Sequence, residues 1–446
     1  MPLDLSRLAA PGRARLANAR VPAALLAAGV PGGAPVDADG AARVDLVLEA
    51  GRVVAVTPPG PEEALDLGGR HVWPMLVDAH AHLDKGHTLG RAPDSGGTHM
   101  GARAATTADR VAHWRRDDLL RRMSFGLRCA EAHGVAAIRT HLDSHEGQAE
   151  QSWAALAEAR AASPLDVQAV ALVPVDAYRG AHGPRLADLV AREGGLLGGV
   201  TRASGGTHGG GLDDLDRLLD VLFRLARERD LDVDLHVDEA PEAHALPAVA
   251  RAVIRAGYEG RVTCGHCCGL ALLPEPEAAA LIGLVAEAGI SIITLPPVNM
   301  YLQDRAPGRT PRWRGVTPVQ ELRAAGVRVA VAGDNCRDPF YAYGDHDMLD
   351  TFRQSARILH LDHPYADATA LAGPVPAAIM GLAAGAIGPG RAADLMILEA
   401  WSMDQVIARP QSDRVLLRGG RPVAACPPSY AELAGAPREL AYSPLG

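Results

Sequence analysis

Histidine and carboxylate side chains that could bind a metal ion stand at the ends of short apolar runs in this 446-residue chain. They are His80, His82, His236, Glu239, His266 and Asp334. Alternation along a strand places the imidazoles of His80 and His82 on the same side. Histidines combined with a carboxylate suit Zn²⁺ or Fe²⁺ better than Mg²⁺ or Ca²⁺. Each residue alone has an ordinary structural explanation, such as a helix cap for Asp334, but their shared position predicts a metal site.

The elements that must position these residues form a regular alternation of strands and helices. Eight apolar runs cover residues 76–81, 135–141, 167–173, 196–201, 233–237, 261–265, 290–295 and 327–333. Helical patterns between them cover residues 212–229, 243–256, 275–288 and 318–325. Eight such units predict an α/β fold of the (β/α)₈ TIM barrel type, with the active site at the carboxyl ends of the strands. A doubly wound sheet is the alternative, but the glycine fingerprint expected after its early strand is absent.

Strand patterns also occur at both ends of the chain. They cover residues 43–49 and 52–57 near the amino terminus and residues 393–399, 414–418 and 421–424 near the carboxyl terminus. The sequence therefore predicts one small β domain that is built from both termini and flanks the barrel.

Composition narrows the class of protein and its partners. The net charge is −9, from 44 basic and 53 acidic residues, which argues against nucleic acid or an anionic membrane as the main partner. Residues 1–20 lack the apolar core of a signal peptide, and six cysteines are too few for a disulfide framework. We expect a soluble, cytoplasmic protein with a small-molecule partner, and a homo-oligomer is compatible with these features.

Two local features need an explanation of their own. Lys85 is the single lysine beside 43 arginines, and lysine is not equivalent to arginine at a chemically specific site, so we expect a functional role for Lys85. The cluster Cys264, Cys267 and Cys268 could suggest a zinc finger, but no second cysteine pair stands at ligand spacing. These thiols are therefore interpreted as small packing residues beside His266.

Seven motifs together resemble the amidohydrolase superfamily, and within it the cytosine deaminase group, over about residues 40–425. They are HAHLD at 80–84, RTHLD at 139–143, HVDE at 236–239, VTCGH at 262–266, PVNMYLQ at 297–303, RGV at 314–316, and GD at 333–334 with DPF at 338–340. The resemblance implies a distorted barrel with a small β-sandwich built from both termini. The expected domains are residues 1–72 and 386–446 for the sandwich and residues 73–385 for the barrel.

The resemblance also implies a role for each site residue. One divalent metal ion, zinc or iron, would be held by His80, His82, His236 and Asp334. Glu239 would carry a proton to a ring nitrogen, His266 would orient the attacking hydroxide, and Asp334 would accept the proton of water. His141 and Asp143 would support this set. Relatives that bridge two metals use a carbamylated lysine on the fourth strand, which is absent here, so we expect one metal.

The activity implied by the resemblance is hydrolytic deamination of a small nitrogen heterocycle, with cytosine, which would give uracil and ammonia, as the first choice. Lys85, Asn335 and Phe340 are the expected substrate contacts. Residues 171–176 read ALVPVD and lack the glutamine that the group places after its third strand, and Asn335 replaces an aspartate. Cleavage of an exocyclic C–N bond in a hydroxylated aminotriazine, isocytosine or creatinine is the alternative, followed by a non-catalytic barrel that binds small molecules.

Three further histidines, His87, His99 and His208, fall between the predicted strands and are interpreted as surface residues. His208 stands in the glycine-rich segment 205–211, which could cover the substrate.

Overall fold

A computed structural model describes residues 12–433 except positions 208, 243, 364, 366 and 425. In chain order its strands are β1 (Ala14–Pro22), β2 (Ala41–Glu49), β3 (Arg52–Thr57), β4 (Leu65–Asp66), β5 (His71–Pro74), β6 (Leu76–Ala81), β7 (Val135–Asp143), β8 (Asp166–Leu172), β9 (Leu197–Val200), β10 (Val233–Val237), β11 (Val262–His266), β12 (Ser291–Thr294), β13 (Val329–Val331), β14 (Leu395–Leu398), β15 (Val415–Arg418) and β16 (Arg421–Val423).

The α-helices fall mainly between the central strands. They are α1 (His99–His113), α2 (Arg116–Ala132), α3 (Ala149–Ala161), α4 (His182–Glu193), α5 (Leu215–Arg227), α6 (Leu246–Ala256), α7 (Glu275–Glu287), α8 (Pro296–Leu302), α9 (Val319–Ala324), α10 (Met348–Ile358), α11 (Pro374–Ile379) and α12 (Met403–Ala408). Within the described residues, no helix combines the length and the apolar character that crossing a bilayer requires.

The eight central strands run parallel in two sheets, ordered β6-β7-β8 and β13-β12-β11-β10-β9. At one seam Ala81 forms a single parallel bridge with Asp334, and at the other Val170 pairs with Leu196 and Pro174 with Val200. All eight predicted strands are therefore confirmed, although several of their ends are shifted. Because isolated bridges rather than continuous ladders join the described sheets, full closure of a barrel stays a prediction.

Strands from both ends of the chain share one mixed sheet of eight strands. Its order is β16-β15-β14-β5-β1-β2-β3, with β4 paired to β1. Strand β1 is not predicted from the sequence, because residues 12–22 are rich in Ala and Arg and contain a single β-branched residue and no aromatic residue. The described strands from the two ends of the chain form a single sheet, whereas a β-sandwich needs two sheets. The predicted sandwich is therefore not confirmed. The domain limits at residues 72 and 385 stay predictions.

The interior of the central sheets is buried on both faces, as expected for parallel strands covered by helices. Every residue of β6, β7, β10 and β11 is buried. At the amino ends of the strands, Arg139 donates from Nη1 to Asp234 at 2.9 Å and from Nη2 to the carbonyl of Ile379 in α11. This polar network connects β7, β10 and α11 at that end, and the opposite end is left for the site.

Candidate metal centre and active site

The carboxyl ends of the strands bring the four predicted metal ligands together. His80 belongs to β6 and His82 follows it, His236 lies in β10, and Asp334 follows β13. Nε2 of His82 lies 3.3 Å from Nε2 of His236 and 3.2 Å from Oδ1 of Asp334. Oδ1 of Asp334 is also 3.6 Å from Nε2 of His80. Donor atoms of His80, His82 and Asp334 thus all lie within 4.8 Å of one another, and His236 joins them through its short distance to His82.

The donor set fits a divalent cation. Both ring nitrogens of His80 and both carboxylate oxygens of Asp334 are buried, and within the described residues they have no hydrogen-bond partner. Buried polar atoms without partners are rare in native proteins, and a cation bound between these groups would satisfy them. Neutral imidazoles and a carboxylate are ligands that zinc and ferrous iron accept. This cluster could therefore hold such an ion.

Burial keeps two histidines of the cluster, His80 and His236, in the neutral form that binds metals. Desolvation, and then the neighbouring imidazoles, lower the pKa of His80 and His236 well below the ordinary value for histidine. Metal ligation requires neutral imidazole, so this environment prepares the ligands at neutral pH.

His141 contacts the metal-ligand candidates directly. Its ring centroid is 4.0 Å from that of His80 and 4.7 Å from that of His236. Its donor atoms lie within 4.8 Å of theirs. Nε2 of His141 is 3.8 Å from Oδ1 of Asp234. His141 is thus a buried imidazole in direct contact with two predicted ligands.

Glu239 stands beside the cluster and is surrounded by cationic or protonatable groups. Its Oε1 is 3.5 Å from Nε2 of His266, and its Oε2 is 3.2 Å from Nε2 of His99 and 3.3 Å from Nη1 of Arg202. Nδ1 of His266 pairs with Oδ1 of Asn299 at 2.9 Å, which leaves Nε2 facing the site. A carboxylate in this position can receive and release protons while its orientation is fixed.

Two proposed catalytic residues have a strained backbone. His266 has φ of +69° and Asp334 has φ of +63°. Residues other than glycine rarely adopt this region, and such strain concentrates at functional sites. Both residues stand where a strand ends, His266 as the last residue of β11 and Asp334 shortly after β13.

Lys85 is buried next to the site and is held by a carboxylate. Its Nζ donates to Oδ1 of Asp143 at 2.9 Å and lies 5.6 Å from the ring centroid of Phe340. Burial alone would lower the pKa of Lys85, but Asp143 and Asp84 outweigh it and raise that pKa. Lys85 therefore stays protonated, as an interaction with an electron-rich ring atom would require.

Asn335 and Phe340 are positioned by one buried acid, Asp338. Asn335 donates from Nδ2 to Oδ2 of Asp338 at 2.7 Å, so its amide oxygen and its second N–H are left for other contacts. The backbone N–H of Phe340 donates to Oδ1 of Asp338 at 2.8 Å. The ring of Phe340 meets His99 edge-on, with centroids 5.5 Å apart.

Most of the residues described above line one small chamber with a volume of about 50 Å³. Its lining residues are His82, Lys85, His99, Leu172, Val200, Arg202, His236, Glu239, His266, Leu302, Asp334, Asn335 and Phe340. Every predicted site residue except His80 lines it, and His80 is fully buried beneath. A cavity of about 280 Å³ and another of about 330 Å³ border the chamber and share residues with it.

Sequence reasoning missed two members of the site. His99, interpreted as a surface residue, is buried at the start of α1, where the hydroxyl of Thr98 accepts the N–H of Gly101 and fixes the first turn. Arg202 follows β9, and the strand-end argument used for the other residues could have found it. His87 is also largely enclosed, packed against Phe125. His208 lies outside the described residues.

The three clustered cysteines have the packing role that the sequence predicts. Cys264, Cys267 and Cys268 are free and buried. Burial raises the pKa of each thiol, so they stay protonated and unreactive.

Comparisons with known proteins agree with the geometry. A model of the Amidohydrolase family matches residues 113–424. A pterin deaminase of Rhizobium rhizogenes is 46% identical over 443 residues, covering 97% of this chain and 99% of that protein. N-isopropylammelide isopropyl amidohydrolase of a Pseudomonas species is 26% identical, covering 65% of this chain and 69% of that protein. The structure of 5-methylcytosine deaminase from Klebsiella pneumoniae superposes with a TM-score of 0.75 at 25% identity, covering 92% of this chain and 97% of that one.

Proposed function

From the premise that this chain belongs to the amidohydrolase family and is a hydrolytic deaminase of a heterocycle, we propose that its substrate is a pterin. Cytosine is the first expectation from the sequence, and the comparisons give it no specific support. The pterin deaminase is similar over almost the whole of both chains. Cytosine remains the second candidate because of the structural likeness to 5-methylcytosine deaminase.

The observation that carries the proposal is that Glu239 lines one chamber with His82, His236 and Asp334, while His80 is buried within 3.6 Å of the Asp334 carboxylate. We assign the metal to His80, His82, His236 and Asp334. A zinc or iron ion held there would lower the pKa of water towards about 7 and so supply a nucleophile at neutral pH. A binding barrel without catalysis would not need Glu239 beside that set.

The protein side chains would move the protons of the reaction. The ring carbon gains the oxygen of water, and its bond to the exocyclic nitrogen breaks. One proton of water ends on the ring nitrogen and the other on the departing ammonia. Asp334 would accept the first proton from water, and Glu239 would deliver protons to the ring and to the leaving group. His266, oriented by Asn299, would hold the attacking oxygen in place.

The shape of the site supports a fused ring. Leu172 and Val200 line the chamber and continue, with Val173 and Pro174, into the cavity of about 330 Å³. The group's glutamine, which contacts a single pyrimidine ring, has no counterpart in residues 171–176. An apolar wall that continues past the first ring suits the flat second ring of a pteridine.

The test is a comparison of ammonia release by the purified chain, loaded separately with zinc and with iron. The substrates are pterin, cytosine, isocytosine, creatinine, ammelide and an N-alkylated ammelide. We expect the highest kcat/KM for pterin, with the oxo product identified by mass spectrometry. Faster release from cytosine or ammelide would contradict the pterin assignment, and alkylamine in place of ammonia would contradict deamination as the native reaction. No turnover of any substrate would favour a binding protein.

A further inference from the structure

A second cavity opens from the chamber, and cationic side chains dominate its polar lining. This outer cavity has a volume of about 330 Å³. It shares five residues with the chamber, and they are Lys85, Leu172, Val200, Arg202 and Phe340. A ligand with its reacting end beside Glu239 can therefore extend into the outer cavity.

Positive charge in the outer cavity exceeds the negative charge that faces it. Lys85, Arg103, Arg110 and Arg202 line it, and Asp143 is the one carboxylate among its described lining residues. Asp143 is already shared, because Oδ1 binds Lys85 at 2.9 Å and Oδ2 binds Arg110 at 3.2 Å. Arg202 interacts instead with Glu239 of the chamber. Within ion-pair distance, two carboxylates thus serve three of these cations, and Asp84 adds its charge beside Lys85.

Arg103 is the cation with the weakest compensation. Its Nη1 donates to the carbonyl of Gly206 at 2.6 Å, and across the described part of the chain no carboxylate lies within ion-pair distance of it. Burial and then the charge of Arg202 lower the pKa of Arg103. A cation that is partly desolvated and repelled by a neighbour has energy to gain from an anionic partner.

Helix α1 arranges the donors on one face. Arg103, Thr106, Thr107 and Arg110 follow the three- and four-residue spacing of a helical stripe, and all four line the outer cavity. The hydroxyl of Thr106 is buried and, among the residues that the structure describes, has no hydrogen-bond partner. A rigid helix therefore presents two guanidinium groups and an unsatisfied hydroxyl to the same enclosed space.

We propose that the outer cavity is a subsite for an anionic group, a carboxylate or a phosphate, that the substrate carries on the ring remote from the reacting amino group. This inference rests on the proposed function and names the class of pterin that the site prefers. Arg103 and Thr106 donate to the anion, and Arg110 shares its charge between the anion and Asp143. The planar guanidinium groups match the oxygen geometry of either anion.

The test compares kcat/KM for ammonia release from four pterins: unsubstituted pterin, and pterin with a hydroxymethyl, a carboxylate or a phosphorylated hydroxymethyl group on the pyrazine ring. We expect the anionic pterins to exceed the neutral hydroxymethyl compound by about tenfold or more, the typical contribution of a hydrogen bond to a charged group. Arg103→Gln should remove most of that ratio, and Arg103→Lys should keep part of it. Arg224→Gln, an exposed arginine of α5, is the matched control and should keep the ratio.

The outcomes separate the two proposals. Equal kcat/KM for neutral and anionic pterins, or a preference that Arg103→Gln does not change, would overturn the subsite while the deaminase assignment stands. A higher value for the phosphate than for the carboxylate supports the subsite and identifies its anion as phosphate. The reverse order supports it and identifies a carboxylate. No ammonia from any pterin would contradict the proposed function, and the subsite inference would fall with it.

Discussion

Glu239 combines the contacts of a proton carrier with a position outside the cluster that would hold the metal. Its two oxygens face His266 on one side and His99 with Arg202 on the other. Glu239→Gln keeps the size of the side chain and removes its ability to carry a proton. General acid–base catalysis contributes about 10²- to 10⁴-fold, so we expect kcat to fall by about that factor. Metal content, measured by mass spectrometry of the purified protein, should equal that of the wild type.

The matched control for this substitution is Glu287→Gln, at the last residue of α7 far from the site, which should leave kcat unchanged. Turnover near the wild-type rate in Glu239→Gln would refute the assigned role. Loss of metal along with activity would instead make Glu239 a ligand, because its donor atoms lie within 4.8 Å of those of His236 and His266.

The metal-ligand candidates were predictable from the strand pattern, and His99 was not. His80, His82, His236 and Asp334 each follow or end an apolar run, so the strand pattern also locates the side chain. His99 begins a helix, and nothing in the local pattern of residues 94–113 says which face of that helix meets the site. Its position depends on how α1 packs over the strand ends, which is a tertiary property.

At the scale of elements, the imidazole of His80 on β6 can lie against the backbone of β11 because position 265 is a glycine. A Cβ at Gly265 would lie 2.8 Å from Cε1 and 3.0 Å from Nδ1 of His80, which is too close for ordinary contact. Gly265→Ala must therefore displace the imidazole of His80. We expect metal content and kcat/KM to fall together, by about tenfold or more, because a shift of about 1 Å in a positioned group can cost a factor near 10².

Gly283→Ala in α7 is the control, since an added Cβ there meets nothing within 4 Å. It should leave activity unchanged and increase helix stability slightly. Full metal content and activity in Gly265→Ala would show that His80 does not need its observed position.

Strand β5 of the terminal sheet carries a buried histidine that should make stability depend on pH. Desolvation and then the charge of Arg20 lower the pKa of His71 to about 4, against about 6.5 in an unfolded chain. The unfolded state therefore binds the proton first as the pH falls. The stabilisation is complete above about pH 6.5 and declines as the pH approaches 4. Between pH 8 and pH 5 the loss is about 2 kcal/mol.

Urea unfolding at pH 8 and at pH 5 measures this loss of unfolding free energy. His71→Asn keeps an acceptor for the indole N–H of Trp73, which donates to Nδ1 of His71 at 3.3 Å. We expect the difference in unfolding free energy between pH 8 and pH 5 to shrink by about 2 kcal/mol in this variant. His363→Asn, at an exposed position, should keep the wild-type difference. An unchanged difference in His71→Asn would mean that other groups set the acid sensitivity.

At the scale of the whole molecule, the sequence predicts the alternation of elements but not how the two ends of the chain join the centre. The terminal sheet requires β1, which has little sequence signal, to pair with β2, β4 and β5. That pairing is stabilised by long-range burial rather than by local propensity. The cavities beside the chamber were equally unpredictable, because their walls come from α1 and from segments after β8 and β9 that meet only in the folded chain.

A bidentate ion pair connects the terminal sheet to the central part of the fold. Arg414, just before β15, donates from Nη1 and Nη2 to the two oxygens of Asp347, at 2.9 and 2.6 Å. Asp347 in turn caps α10 by accepting the N–H groups of Leu349 and Asp350. Arg414 also donates to the carbonyl of His133, beyond the end of α2. The guanidinium of Arg414 thus connects the terminal sheet to the end of α2 and the start of α10.

Removing this guanidinium should therefore destabilise the molecule as a whole. Arg414→Gln leaves a largely buried carboxylate without its main partner, which typically costs about 3 kcal/mol or more. Arg192→Gln removes an exposed pair with Glu150 and should cost at most about 1 kcal/mol. Urea unfolding followed by circular dichroism measures both. Similar losses in the two variants would mean that apolar packing, such as the contact of Trp73 with Phe352, carries the joint instead.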